Sequence, residues 1–510
     1  MMHTQGLGAW LPRRRLRNPS KAAIVFGDGQ QLSYAQLAHS AERMSAVLVE
    51  RGVRQGDSVA YLGENSPDFL ITLFATARIG AVFVPVNTRL AVPEIAHVLT
   101  DSGARMLIHD PDFAHRLERM LASPGAPALA IRTGSSGRDG SLGLTRLIDQ
   151  ATDVPPLQAA DDDTPAAIVY TSGTTGRAKG AVLTHANLTA VAVNNLIDYD
   201  ICSDDVALMI SPLFHVAALG MGALPVLLKG GTLVLERGFD AGTALDLIER
   251  HRVTMLSGVP TTFQLLADHP AWASTDLSSL RTLTCGGSAV PSRILAAYEE
   301  RGMSFSQGYG MTETSPGATS LSPEMTVHKH GSVGLPHFFT DVRVADEHGR
   351  EVTAGTVGEI QITGPNVFAG YHGLPDATAA SLTSDGWFRS GDLGYVDDHG
   401  YLYIADRLKD MIISGGENIY PAEVESLIAD IDGVTGAAVI GVPDDRWGEV
   451  PIAVLTVRDG FEITLETVRG ALEGRIARYK LPTRVEIVGS LPRTASGKVR
   501  KHELRGLFPR

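Results

Sequence analysis

Short apolar runs alternate with stretches of helical periodicity through the first four hundred residues, the pattern of an α/β protein. The runs at 58–62 and 81–86 are apolar enough to be buried strands. Between them Ser66 and Pro67 supply an N-cap and a first helical residue, and Gly80 supplies the stop. Further strands are expected at 166–170, 207–210, 232–235, 280–284, 303–306 and 359–363. The most apolar stretch, 216–235, holds Lys229 as its one charge and is broken by Pro225, Gly230 and Gly231. That pattern predicts a buried helix followed by a strand and not a membrane span. From 122 to 166 the composition shifts to Gly, Ser, Pro and Asp, which reads as a surface excursion. Beyond 406 a smaller α+β unit is expected: a helix over 421–430, strands at 437–442 and 451–457, a helix over 465–477 and a strand at 484–488. The predicted domains are therefore 1–405 and 406–510, and no internal repeat is visible.

A chain of 510 residues is too long for one core, which agrees with that division. Its net charge of −13 argues against a general nucleic-acid binder. Residues 470–510 reverse the balance, with ten Lys/Arg against three Asp/Glu, and a basic end suits either a phosphorylated ligand or a solvated face. Cys202 and Cys285 lie far apart and form no CxxC pattern, so no disulfide framework is expected. With no apolar segment behind Arg13, Arg14 and Arg15, a cytoplasmic protein without integral membrane association is expected. The acidic segment 198–205 offers no basic membrane anchor either.

The candidate chemistry begins at 170–180, YTSGTTGRAKG, where a strand empties into a loop rich in glycine and hydroxyls. Glycines let backbone N–H groups approach a polyphosphate, hydroxyls add donors, and Lys179 adds a charge able to reach the terminal phosphates. The spacing is not that of the common NTPase P-loop, since no Gly-Lys-Ser/Thr follows the required gap. No GxGxxG, GxSxG or HExxH is present, and His328 and His330 read as loop residues.

The order of this run resembles the phosphate loop of the adenylate-forming superfamily, the acyl-CoA synthetases and their relatives. Further blocks follow in the order that superfamily needs: PLFH at 212–215, QGYGMTET at 307–314, WFRSGD at 387–392 and PRTASGKVR at 492–500. The resemblance spans about 18–504. It implies an α/β fold with a large N-terminal domain of packed sheets and helices and a smaller mobile C-terminal α+β lid, hinged near Lys409. It implies ATP and Mg²⁺ as cofactors. Thr171, Ser172, Gly173, Thr174, Thr175, Gly176 and Lys179 would receive the phosphates, with Gln307, Gly308, Tyr309, Gly310, Gly287 and Ser288 around the adenine and α-phosphate. Asp392 and Arg407 would hold the ribose, Thr312 would meet the α-phosphate, and Glu313 with Thr175 would hold the metal. Lys498 would be the adenylation lysine, a cation that stabilises charge growing on carboxylate and phosphate together. His215 would stand at the acyl site.

The resemblance extends to the acceptor. ISGGENIYP at 413–421 and PDDRWGE at 443–449 resemble acyl-CoA synthetases, which places Gly415, Gly416 and Trp447 along a CoA tunnel. No phosphopantetheine carrier segment is present, so a free thiol such as CoA is the expected co-substrate. Amino-acid-activating relatives place an Asp where this chain has His215. The acyl pocket is expected from His215, Ala217, Gly286, Gly287, Gly310 and Pro316, all small or apolar apart from His215, with no arginine for a second carboxylate. The expected partners are a small carboxylic acid and CoA, and a homodimer is compatible with the chain. Ala217 stands where aryl-selective relatives often carry a larger residue, which favours a medium- or long-chain fatty acid. An aryl or arylacrylic acid is the alternative. A relative that activates another oxyanion, such as nitrite, without CoA also remains open, and a non-catalytic binding protein is disfavoured by the intact Lys179, Glu313, Asp392 and Lys498.

Overall fold

The computed structural model describes residues 6–508 except 123, 137–142, 172–177, 287–289, 291, 408–409, 415–416, 445, 474 and 494–497; at 292, 406–407 and 417–418 it describes the backbone alone. Three sheets form among the described residues, of thirteen, seven and five strands.

The thirteen-stranded sheet changes character part-way across. One half is parallel: Ala22–Phe26, Thr232–Leu235, Val206–Met209, Met255–Gly258, Thr282–Cys285 and Phe305–Tyr309 run side by side in that order. Beyond Phe305–Tyr309 the neighbours turn antiparallel, through Thr319–Leu321, Ser332–Pro336, Leu402–Arg407, Phe388–Val396, Gly358–Thr363 and Asp341–Ala345, and Gln30–Ser33 adds an antiparallel strand at the opposite edge beside Ala22–Phe26. The seven-stranded sheet does the same. Leu129–Arg132, Ala104–His109, Ser58–Leu62, Val82–Val86 and Pro165–Thr171 are parallel, whereas Lys179–Thr184 and Gly370–Tyr371 are antiparallel. Ligands of open α/β sheets gather outside the carboxyl ends of strands where the winding changes. Both changes here fall on the segments expected to bind the nucleotide.

Local chemistry explains the elements. Ser66 caps the helix Pro67–Arg78 by accepting from the Phe69 N–H, Pro67 opens it, and Gly80 leaves at a φ of +68°. The Tyr61, Phe69 and Phe83 rings meet edge-on beneath the sheet and are almost fully buried. The apolar stretch after His215 is a π-helical segment, Ala217–Ala223, continued by Leu224–Lys229, which Gly230 ends at φ +93° before the strand Thr232–Leu235. Among the described residues no helix is long and apolar enough to cross a membrane.

The C-terminal unit has its own core, in which Val424, Ile428, Val439, Leu455, Val468 and Leu472 are all buried. The helices Pro421–Ala429 and Leu465–Leu472 pack on a hairpin of Val434–Asp444 and Gly448–Val457, with Arg484–Ile487 added in parallel.

Three expectations are corrected. The 122–166 segment contains the edge strand Leu129–Arg132 and the helix Leu144–Gln150, whose Leu144 and Ile148 are buried in the main core. Two or three apolar residues sufficed there because a preformed sheet edge and core received them. The helix expected to 477 ends at Leu472, where Glu473 turns to extended backbone at ψ 132°. The strand expected at 303–306 runs Phe305–Tyr309, which places Gln307, Gly308 and Tyr309 on the strand itself.

Candidate active site

At one end of the site, Tyr309 is the last residue of Phe305–Tyr309, and Asp392 sits inside Phe388–Val396, two strands that are not sheet neighbours. The Tyr309 hydroxyl donates to Asp392 Oδ2 at 2.8 Å. Asp392 is 7% exposed, its own N–H donates to Ser390 Oγ at 3.0 Å, and its backbone pairs with that of Arg407. An aromatic face beside a fixed carboxylate is what a base and its sugar hydroxyls require. Gln307 is buried beside this pair, and Gly308 passes so close to the Thr319 carbonyl that a Cβ would lie 3.0 Å from it.

The phosphate end is built by the hairpin of Pro165–Thr171 and Lys179–Thr184, in which Thr171 pairs with Lys179 across the mouth of the glycine-rich loop. The Lys179 ammonium stands 5.1 Å from the centroid of the Tyr371 ring. The Tyr371 hydroxyl in turn donates to Glu313 Oε1 at 2.8 Å. Burial, reinforced by the Glu313 carboxylate, raises the Tyr371 phenol well above its ordinary value, so it stays a donor. Glu313 lies in the single turn Thr312–Thr314, and its carbonyl accepts from the Phe368 N–H at 2.9 Å. Lys179 and Glu313, expected from separate motifs, are thus joined by a residue the sequence did not single out. Its only signal was a glycine–tyrosine step, Gly370–Tyr371, which pairs with Ala181 and Val182.

The residues fit magnesium in one way. Among the described residues no group of three or more His, Cys, Asp or Glu could enclose a metal ion. A lone carboxylate such as Glu313 suits an ion that keeps waters and phosphate oxygens as its other ligands.

The acyl side is built differently. His215 follows a loop pinned by the buried Asn65, whose amide donates to the Ser211 carbonyl at 2.9 Å and whose oxygen accepts the Leu213 N–H at 2.7 Å. Ala217 is exposed at the start of the π-helical turn. The small residues here bring backbones together. A Cβ at Gly310 would lie 1.5 Å from the Pro316 carbonyl oxygen, and one at Gly220 would lie 2.5 Å from the Ser315 oxygen. A Cβ at Gly317 would meet His337 Nε2 at 2.8 Å, whereas Gly286 has more room, with Gly308 oxygen at 3.9 Å. Asn366, fully buried, donates to the carbonyls of Thr314 (3.2 Å) and Gly317 (2.6 Å) and accepts from Thr340. Asn187 donates to the carbonyls on either side, at Pro365 and Val367, both at 2.8 Å. Asn65, Asn187 and Asn366 escaped the sequence reading because an isolated Asn has no pattern of its own.

In the C-terminal unit Trp447 is half exposed beneath the Arg446 guanidinium, 4.7 Å from its ring centroid. Lys498 is exposed next to the backbone bridge between Arg493 and Val499. Ser172, Gly173, Thr174, Thr175, Gly176, Gly287, Ser288, Lys409, Gly415 and Gly416 lie outside the described residues, as does the side chain of Arg407.

Comparison with known proteins agrees with this geometry. The family model described as AMP-binding enzyme matches residues 11–372, and that of the AMP-binding enzyme C-terminal domain matches 423–498. The chain belongs to the AMP-binding enzyme family. It is 50% identical to a feruloyl-CoA synthase from Amycolatopsis sp, over 99% of this chain and all of the relative. It is 39% identical to the long-chain-fatty-acid–CoA ligase FadD13 of Mycobacterium tuberculosis, over 98% of each. Among solved structures, ATP-bound MatB from Rhodopseudomonas palustris superimposes with a TM-score of 0.91 at 35% identity, covering 99% of each chain. These relatives bear out the adenylate-forming superfamily, its acyl-CoA synthetase branch and its fold.

Proposed function

We propose that this chain is an AMP-forming ligase that joins an aryl or arylacrylic acid to CoA through an acyl-adenylate. The observation that carries the nucleotide half is the convergence of Lys179, Tyr371 and Glu313 near the Tyr309–Asp392 pair. In the first step a carboxylate oxygen of the acid attacks the α-phosphorus of ATP and pyrophosphate leaves. Lys498 spans the carboxylate and phosphate as their charge grows, and Thr312 donates to the α-phosphate. Magnesium held by Glu313 and Thr175 supplies charge neutralisation when bound. In the second step the CoA thiolate attacks the acyl carbon and AMP leaves, with Gly415, Gly416 and Trp447 along the thiol's path. The unit 406–510 serves as the lid, turning about Lys409 between the two steps.

The acid is aryl because of how the pocket's small residues are used. Gly310 and Gly220 spend their missing side chains on backbone approach, and Gly317 on approach of the His337 ring, which suits walls drawn inward around a compact, flat acid. The relatives lean the same way, at 50% identity for the feruloyl-CoA synthase against 39% for the fatty-acid ligase. The test is a comparison of kcat/KM for CoA-thioester formation from hydroxycinnamic acids and from fatty acids of graded length. The arylacrylic acids should lead by a factor of about ten or more. A higher value for any fatty acid would overturn the aryl assignment.

A further inference from the structure

Glu313 has one hydrogen bond to its carboxylate among the described residues, and it comes from Tyr371. The phenol occupies Oε1. Tyr371 is itself fixed from several directions. Its backbone pairs with Ala181, its N–H donates to Thr378 Oγ1 at 2.9 Å, and its ring meets Phe368 edge-on at 4.9 Å between centroids. The same ring carries the Lys179 ammonium on its face. One rigid side chain therefore touches both the group that would meet the terminal phosphates and the group that would meet their metal.

We infer that Tyr371 is a positioning residue for the nucleotide site: it orients the Glu313 carboxylate toward the cation that accompanies ATP and sets that carboxylate's distance from Lys179. The inference rests on the nucleotide half of the proposed function. It predicts an effect that depends on the metal, because removing the hydroxyl frees Glu313 but leaves the ring, Lys179 and the hairpin in place.

Tyr371→Phe tests this, with ATP binding followed by calorimetry in the presence and absence of Mg²⁺ on the full chain. The Kd of MgATP should rise about tenfold, while the Kd of metal-free ATP and the melting temperature of the free protein stay near wild type. In a Glu313→Gln background the Tyr371→Phe change should cost much less, as expected of a coupled pair. Equal weakening with and without metal would reduce Tyr371 to a structural residue and overturn the inference, as would an unchanged Kd for MgATP. A wild-type chain that fails to bind MgATP would overturn the nucleotide half of the proposed function, and this inference with it. Wild-type binding with an unaltered Tyr371→Phe variant would overturn this inference alone.

Discussion

The two sides of the cleft are built on opposite principles. On the nucleotide side, side chains do the joining: Tyr309 bonds Asp392, Tyr371 bonds Glu313, and Lys179 lies over Tyr371. On the side assigned to the acid, missing side chains do it, with Gly310 and Gly220 letting backbone segments meet at distances no Cβ tolerates. The first construction is the one assigned to the nucleotide. The second is the one assigned to the acid, where buried asparagines such as Asn366 hold the approaching segments in place. The nucleotide reading therefore rests on residue types and the acid reading on spacing.

That contrast can be broken or sharpened by substitution. The largest effect should come from Lys498→Ala, which removes the cation assigned to adenylation. Pyrophosphate release should fall about a thousandfold, while transfer to CoA from a supplied acyl-adenylate survives. Equal loss of both steps in a two-assay comparison would remove Lys498 from its assigned role. Next is Gly310→Ala, whose new methyl would collide with the Pro316 carbonyl. It should destabilise the fold by about 3 kcal/mol or more and depress activity toward every acid, as read by chemical denaturation alongside turnover. A wild-type denaturation midpoint would show that this approach is not tight.

Tyr309→Phe should be milder and confined to the nucleotide side. Loss of its bond to Asp392 should raise KM for ATP about five- to tenfold and leave KM for the acid unchanged. A matching rise in both constants would mean that the two sides are not built separately.

The smallest effect on activity lies at His185, which follows the far end of the strand that begins with Lys179. Burial lowers its pKa from 6.5 to about 4, while its Nδ1 accepts the Leu7 N–H at 3.2 Å. The unfolded chain takes up a proton below about pH 6.5 that the folded state refuses until about pH 4. Its contribution is therefore present above pH 6.5 and lost as the pH falls to about 4, amounting to about 3 kcal/mol. Denaturation across that range should show a shallower pH slope for His185→Gln than for the wild type.

The same contrast explains what was legible in the sequence. Strands buried on both faces, such as Ser58–Leu62 and Thr232–Leu235, announce themselves as continuous apolar runs, and the Ser66–Pro67 cap fixed a helix start. Tyr309, Glu313, Lys179 and Asp392 could be singled out as candidates because the expected chemistry demands those residue types. Tyr371 and Asn366 could not be, because each acts through partners brought near by topology: Tyr371 reaches Glu313 across 58 positions and Asn366 reaches Thr314 across 52. The expected acyl pocket is less legible for a related reason: small residues read as open space in a sequence, yet at Gly310 and Gly220 the fold brings a neighbouring backbone into that space. The edge strand Leu129–Arg132 was missed likewise, since the strand Ala104–His109 that receives it lies earlier in the chain.

The most direct test of the account is pyrophosphate and thioester formation measured together, with ATP and Mg²⁺, across arylacrylic acids, fatty acids, amino acids and nitrite, with and without CoA. Sustained turnover that needs CoA, yields one thioester per pyrophosphate and favours an arylacrylic acid is expected. Turnover indifferent to CoA, or seen only with nitrite and an amine, would contradict the acid–thiol ligase at its centre.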